Sequence, residues 1–166
     1  MTYLATPLSQ NHNRKSFNCG ELSLDNYIKT QVSQDVKKKL AACFVFAEDD
    51  NVVNGYYTLS NTAIPMSDAP EEIRSKMPRA YTDLPATLLG RLAVDNSCKG
   101  QGMGASLLMD ALKRSYEISK LVASHAVVVD PIDQNAIAFY KKYGFVMLDS
   151  GKMFITMKTI GLLIDG

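Results

Sequence analysis

Cysteine and histidine are scarce in this chain of 166 residues, which has three cysteines, Cys19, Cys43 and Cys98, and two histidines, His12 and His125. An odd number of scattered cysteines cannot pair fully within one chain, so a disulfide framework is excluded and free thiols in a reducing compartment are expected. No two cysteines lie two to four residues apart, and the histidines sit at opposite ends of the sequence, so no metal site is expected. An excess of one charge is also lacking. With 18 basic against 17 acidic side chains the net charge is +1, which argues against a generic polyanion binder but hides local patches such as Lys37, Lys38 and Lys39. No stretch approaches the roughly 18 consecutive apolar residues of a membrane span, and residues 1–10 lack the charged-then-apolar order of a secretory signal. The expected compartment is cytoplasmic. Repeats, low-complexity tracts and Ser/Gly linkers are absent, so residues 1–166 read as a single domain. At 46% apolar residues a chain of this length buries a sizeable core without staples.

The periodicities define an α/β mixture. Leu24, Tyr27, Ile28 and Val32 recur at helical spacing behind Ser23, read as a cap. Residues 41–47 and 52–60, separated by turn-rich 48–51, read as a hairpin. Asp68, Pro70, Glu71 and Glu72 carry the cap, first-turn proline and acidic first turn of a short helix ended by Pro78. A buried strand over 88–94, a polar Gly-rich loop over 96–104 and a helix marked by Leu107, Leu108, Ala111 and Leu112 follow in order. A strand over 126–129, a helix over 133–142 and strand-like stretches over 145–148 and 153–157 complete the chain. Such an order joins parallel strands by a crossover helix and leaves antiparallel strands at the edges.

The most informative segment is Lys99-Gly100-Gln101-Gly102-Met103-Gly104, between the predicted strand and helix. Glycines let the backbone turn tightly and approach a ligand, and the free N–H groups of a helix start, at its positive dipole end, suit a phosphate. It is neither a Walker A loop nor the G-x-G-x-x-G of a dinucleotide fold. By itself the pattern leaves a tight turn and a diphosphate site equally open. With Asn135, Phe139-Tyr140 and Tyr143-Gly144-Phe145 some thirty residues on, however, the K-x-x-G-x-G pattern resembles the GNAT superfamily of acetyl-CoA-dependent N-acetyltransferases. There the first position is Arg or Gln; Lys99 departs from this but keeps a cation.

The resemblance implies the GNAT fold, a mixed, mostly antiparallel sheet flanked by helices with a splayed central strand pair. Acetyl-CoA would lie between the strand ending at Val94 and that of Val127 to Val129. Residue by residue, it implies Leu92, Ala93 and Val94 for the pantetheine and acetyl end. Lys99, Gly100, Gln101, Gly102, Met103, Gly104 and Ala105 fall to the diphosphate, and Asn135 either bonds to CoA or satisfies a helix end. Phe17-Asn18-Cys19-Gly20 ahead of Leu24-Asp25-Asn26-Tyr27, Gly55-Tyr56-Tyr57-Thr58-Leu59, Leu89-Gly90-Arg91-Leu92-Ala93-Val94-Asp95 and Met157-Lys158-Thr159 are similar to the GNAT toxins of type II toxin–antitoxin pairs. Those toxins acetylate the α-amine of aminoacyl-tRNA and so block translation. Their partners, by the same resemblance, are a ribbon-helix-helix antitoxin, operator DNA through the toxin–antitoxin complex, and in many cases a second copy of the toxin.

Acetyl transfer from a thioester needs a neutral amine, a polarised carbonyl and a proton for the departing thiolate. Tyr140 is the candidate donor. On its helix Phe139 and Tyr143 share a face while Tyr140 lies about 100° round, and a phenol of pKa about 10 is protonated at neutral pH. The competing reading is a packing tyrosine. Many lysine-acetylating relatives carry a Glu on the strand before the loop, yet residues 88–94 hold no carboxylate and Asp95 follows at their end. A lysine amine of pKa about 10.4 must be deprotonated, whereas an α-amine of about 7.7 to 8.0 is already partly neutral, so the absence favours an α-amine, with Asp95 or water as base. Lys37, Lys38, Lys39, Arg74, Lys76, Arg79 and Arg91 are candidate tRNA-phosphate contacts; a solvated lysine face and a structural ion pair for Arg91 are the alternatives. Cys98 reads as a packing or a reactive thiol, and His125 as a satisfied structural histidine. Two further functions fit the same motifs: acetylation of a small amine or protein amine, and a CoA-binding regulatory module.

Overall fold

The computed structural model describes residues 2–166. Along the chain run β1 (Thr6–Pro7), α1 (Leu22–Asn26), a π-helical turn (Tyr27–Gln31), α2 (Val32–Lys37), β2 (Ala42–Glu48) and β3 (Val52–Pro65). They are followed by α3 (Glu71–Arg74), β4 (Asp83–Val94), α4 (Met103–Ser119), β5 (Ala126–Val129), α5 (Gln134–Lys142), β6 (Val146–Met147), β7 (Met153–Thr156) and α6 (Met157–Asp165). The strands form one sheet in the order β1-β2-β3-β4-β5-β7-β6. The pairings of β1 with β2, β2 with β3, β5 with β7 and β6 with β7 are antiparallel, and β4 with β5 is parallel. A parallel pair needs a crossover, and α4 supplies it.

Contacts divide the chain into two compact units, each discontinuous in sequence. The first comprises the chain up to Ser60 together with Leu89–Arg114. Its core gathers Phe17, Tyr27, Ile28, Val32, Val45, Val53, Tyr56 and Ala93, with Phe17 edge-on to Tyr56 at 5.5 Å between centroids. A buried polar hub fastens the N-terminal segment. Asp110 of α4 accepts bonds from the Leu4 amide at 2.6 Å, the Ala5 amide at 3.4 Å and the Tyr57 hydroxyl at 2.7 Å. Arg114, one turn further on, donates to the Ala5 carbonyl at 2.6 Å and the Tyr57 hydroxyl at 2.9 Å, its guanidinium lying over Tyr3 and Phe44.

The second unit comprises Asn61–Leu88 and Ser115–Gly166. Its core contains Ile64, Leu84, Ala86, Ala126, Val128, Leu148 and Phe154. The register Ala86↔Ala126, Thr87↔Val127 and Leu88↔Val128 defines the parallel pair, while β7 runs antiparallel along β5 from Val127↔Ile155 to Val129↔Met153.

Several local expectations are corrected. Ser23 lies inside α1, whose N-cap is Glu21 without a side-chain cap bond, and the helix loosens into a π turn before resuming. Asp68 caps nothing: its carboxylate receives the Ser150 amide at 3.0 Å and hydroxyl at 2.6 Å. The short helix ends at Arg74, before Pro78, and Pro70 is its N-cap. Strand β4 begins at Asp83, five residues earlier than residue 88. The chain also closes with α6, a helix not anticipated, whose Thr156 cap accepts from the Thr159 amide at 3.2 Å.

Candidate active site

The glycine-rich loop lies in the first unit. A short 3-10 turn, Asn96–Cys98, follows β4, and its cap is Asp95. Gly100 and Gly102 then take left-handed backbone angles, φ +80° and +77°, a conformation costing an L side chain about 1–2 kcal/mol. A Cβ built at either glycine meets nothing within 4 Å, so both positions face open space. Helix α4 starts at Met103 and runs for 17 residues. Its first amides have no intrahelical acceptor and carry the positive dipole end. Gly102, Met103, Gly104 and Ala105 thus offer the N–H groups that a diphosphate requires. On β4, Ala93 is buried and Leu92 and Val94 half-buried.

Lys99 is exposed, and its ammonium donates to the Cys19 carbonyl. An ammonium has three donors, so this bond leaves two for an anion. Beside it, Asp95 accepts the Asn18 amide at 2.8 Å, the Ser97 amide at 3.0 Å and the Ser97 hydroxyl at 2.6 Å. Burial raises its pKa, but these bonds and the nearby Lys99 charge prevail and hold the carboxyl below the usual range. A carboxylate with a lowered pKa is a weak proton acceptor. Asn18 was readable only as part of a family motif; no periodicity marks it as a partner of a residue 77 positions away.

Asn135 and Tyr140 lie on α5, in the second unit. Asn135 is exposed and is not the helix cap: Asp133 is, accepting the Ala136 amide at 2.8 Å. That removes the helix-end role. Tyr140 is 8% exposed. Its ring packs against Phe139 and Phe145 at 5.3 and 5.1 Å, and Phe139 meets Tyr143 edge-on at 5.1 Å. The Tyr140 hydroxyl has no hydrogen-bond partner among the described residues, and burial pushes its pKa up to about 12. The ring is therefore a packing element, as one reading had it, while the hydroxyl is a donor in need of an acceptor. His125 is half-buried, and its Nε2 has no partner; burial lowers its pKa. It is not the satisfied histidine expected.

The candidate cations lie on three different elements of the chain. Lys37 and Lys38 are exposed at the end of α2 and Arg79 in the loop after α3. Arg91, half-buried on β4, lies with its guanidinium carbon 3.5 Å from the centre of the Tyr27 ring. Its structural partner is an aromatic face rather than a carboxylate. Cys19, Cys43 and Cys98 are all free and buried. Burial raises the Cys19 thiol to about 11, which leaves it protonated.

A left-handed glycine loop at the start of a long helix, following a strand paired in parallel with the next, is the arrangement of a GNAT acyltransferase. The acetyltransferase (GNAT) domain family matches residues 39–147, and the chain belongs to it. More particularly, it is similar to a tRNA-acetylating toxin of Mycobacterium tuberculosis, 34% identical over 90% of this chain and 89% of that protein. Among solved structures, AtaT complexed with acetyl-methionyl-tRNAfMet superposes with a TM-score of 0.89 at 28% identity, covering 96% of this chain and 98% of that one. An AtaT variant bound to the C-terminus of the antitoxin AtaR and acetyl-CoA matches over 100% of both chains, with 27% identity and a TM-score of 0.82; the AtaT–AtaR complex is also known bound to DNA.

Proposed function

We propose that this protein transfers the acetyl group of acetyl-CoA to the α-amine of an aminoacyl-tRNA, and so arrests translation as the toxin of a type II toxin–antitoxin pair. The observation that carries the reading is the loop of residues 99–105, with two left-handed glycines facing open space at the start of α4. Its amides bind the diphosphate, with a spare donor from Lys99. The parallel register of β4 ends at Leu88, and Leu92, Ala93 and Val94 beyond it serve the pantetheine arm and acetyl group. Asn135, exposed and freed from capping, bonds to CoA.

When bound, acetyl-CoA supplies an acyl group activated as a thioester. Tyr140 is the general acid: the C–S bond breaks as the C–N bond forms, the phenol gives its proton to the departing sulfur, and the proton shed by the acylated nitrogen returns to the phenol by way of water. Its hydroxyl is protonated at every physiological pH and unpaired, so it donates to sulfur as negative charge develops there. An α-amine fits this loop best: Asp95 already takes three donors and its carboxyl lies below the usual range, and the only carboxylate on β4 is Asp83, at the opposite end of the strand. An α-amino group of pKa about 7.7 to 8.0 loses its proton to water without help.

Lys37, Lys38, Arg79 and Arg91 contact tRNA phosphates, Arg91 with the edge of a guanidinium stacked on Tyr27. A ribbon-helix-helix antitoxin, operator DNA reached only through that complex, a homodimer and a cytoplasmic location belong to the same reading. No helix among the described residues is long and apolar enough to cross a membrane. The test is transfer of labelled acetyl from acetyl-CoA to charged total tRNA, with uncharged tRNA, free amines and peptides alongside. Label confined to charged tRNA and released when the aminoacyl ester is hydrolysed is the expected result; label on free amines or peptides alone refutes the tRNA reading.

A further inference from the structure

Residues 17–20 and 95–99 lie far apart in sequence and are fastened together by a dense set of bonds. The Asn18 amide donates to Asp95 Oδ1 at 2.8 Å, and the Asn96 amide donates back to the Asn18 carbonyl at 2.8 Å. Asn18 Oδ1 accepts from the Gly20 amide at 3.1 Å, and the Lys99 ammonium caps the Cys19 carbonyl. The other Asp95 oxygen takes both the amide and the hydroxyl of Ser97. The Cys98 amide donates to the Asp95 carbonyl at 2.9 Å and the Asp95 amide to the Asn54 carbonyl at 2.8 Å. The clamp is itself anchored, since the Cys19 amide donates to the buried Asp25 carboxylate of α1 at 2.8 Å.

Gly100 follows this clamp directly. Glycine has more backbone freedom to lose on ordering than any other residue, and this loop has three in five positions. Its far end is tied by α4; its near end is tied only by what holds residues 95–99. We propose that Asp95, with Asn18 as its partner, is the positioning residue that sets the near end of the acetyl-CoA loop in its binding shape, and that Asp95 does not serve as the base for the attacking amine. This rests on the reading that residues 99–105 hold acetyl-CoA. Pre-setting a loop lowers the ordering cost of binding, so the clamp acts on acetyl-CoA affinity and leaves the chemical step alone. A base acts on the chemical step.

Steady-state kinetics separate the two roles. Asp95→Ala removes all three acceptor bonds and should raise the KM for acetyl-CoA about tenfold, the scale of one charge-assisted bond. Asp95→Asn keeps an oxygen for the Asn18 amide and should raise it about threefold. Asn18→Ala keeps its amide but loses the side-chain bonds to Gly20 and Asn96, again about threefold. In all three, kcat at saturation should stay within about twofold, the KM for aminoacyl-tRNA should not move, and the rise of rate with pH should keep its midpoint. A fall in kcat of about a hundredfold in both Asp95 variants, with the pH-dependent rise abolished, assigns Asp95 as base and overturns the proposal; so does an unchanged KM for acetyl-CoA. Absence of acetyl-CoA binding to the unaltered protein by calorimetry refutes the loop assignment instead, before any variant is made.

Discussion

Tyr140→Phe deletes one oxygen atom, and the structure fixes what that deletion does. The hydroxyl has no partner among the described residues, so no intramolecular hydrogen bond is lost, and a polar group is replaced by hydrogen at a site only 8% exposed. The ring contacts with Phe139 and Phe145 persist. Stability should therefore stay within about 0.5 kcal/mol. Activity should behave in the opposite way. A phenol pushed up to about 12 is a weaker acid than a thiol of pKa about 8.5, so outright transfer to a free thiolate is uphill by roughly a thousandfold or more. In the proposed role Tyr140 hydrogen-bonds to sulfur as the C–S bond breaks, and its proton moves only in concert with its replacement by the proton that the acylated nitrogen sheds. General-acid help of this kind is worth about 10²–10⁴ in rate. Labelled-acetyl transfer to charged tRNA should thus lose that factor in kcat, with acetyl-CoA affinity by calorimetry preserved. The pH profile adds a constraint. Since Tyr140 stays protonated to about 12, the wild-type rate should climb through the α-amine pKa near 8 and stay level to about pH 10. Retention of kcat within threefold would refute the assignment.

Three other variants follow from the same structure. Asp110→Ala strands the amides of Leu4 and Ala5, the Tyr57 hydroxyl and the charge of Arg114. Breaking one partner of a buried charged group costs about 3–5 kcal/mol, so the urea midpoint should fall steeply, and Asp110→Asn, which keeps an acceptor, should fall less. His125 has a folded pKa below its unfolded 6.5 through burial, so the unfolded chain binds the extra proton. Its contribution is intact above about 6.5 and is lost as pH falls below that value; His125→Gln should flatten the stability curve below about pH 6.5 in chemical denaturation. Gly102→Ala places a methyl in the open loop at φ +77°, which should cost about 1–2 kcal/mol of local strain and about tenfold in acetyl-CoA affinity; unchanged affinity by calorimetry would contradict the diphosphate assignment.

What could be read from the sequence depended on the range of the interaction that carries it. The hairpin of β2 and β3, the crossover helix and β5 were legible because each advertises itself locally, by alternation, by helical spacing or by four consecutive β-branched and small apolar residues. Residues 126–129 match β5 to the residue. The glycine loop was legible because its function needs a composition rather than a distant partner. Helix α6 was not. Gly161 sits in its middle and lowers helix propensity by about 1 kcal/mol, yet a Cβ there would lie 3.0 Å from the Tyr116 ring. The residue that hides the helix from a sequence reading is the one that lets it pack.

The acidic residues make the same point about function. Asp68 and Asp95 each carry a label in the sequence, a helix cap and a possible base at a strand end, while Asp110 carries none. In the structure Asp68 holds Ser150, Asp95 holds Asn18 and Asp110 holds Leu4, at separations of 82, 77 and 106 residues. A carboxylate's role is set by which donors reach it, and those donors arrive from elsewhere in the chain. Asp95 shows the functional weight of that fact: three donors, one on Oδ1 and two on Oδ2, hold the carboxylate in place. The same bonds that lower its basicity give it a grip on the loop. An enzyme acting on an α-amine that is already partly neutral can use its loop-side carboxylate in this way, whereas one acting on lysine would need that carboxylate, or another, as a base.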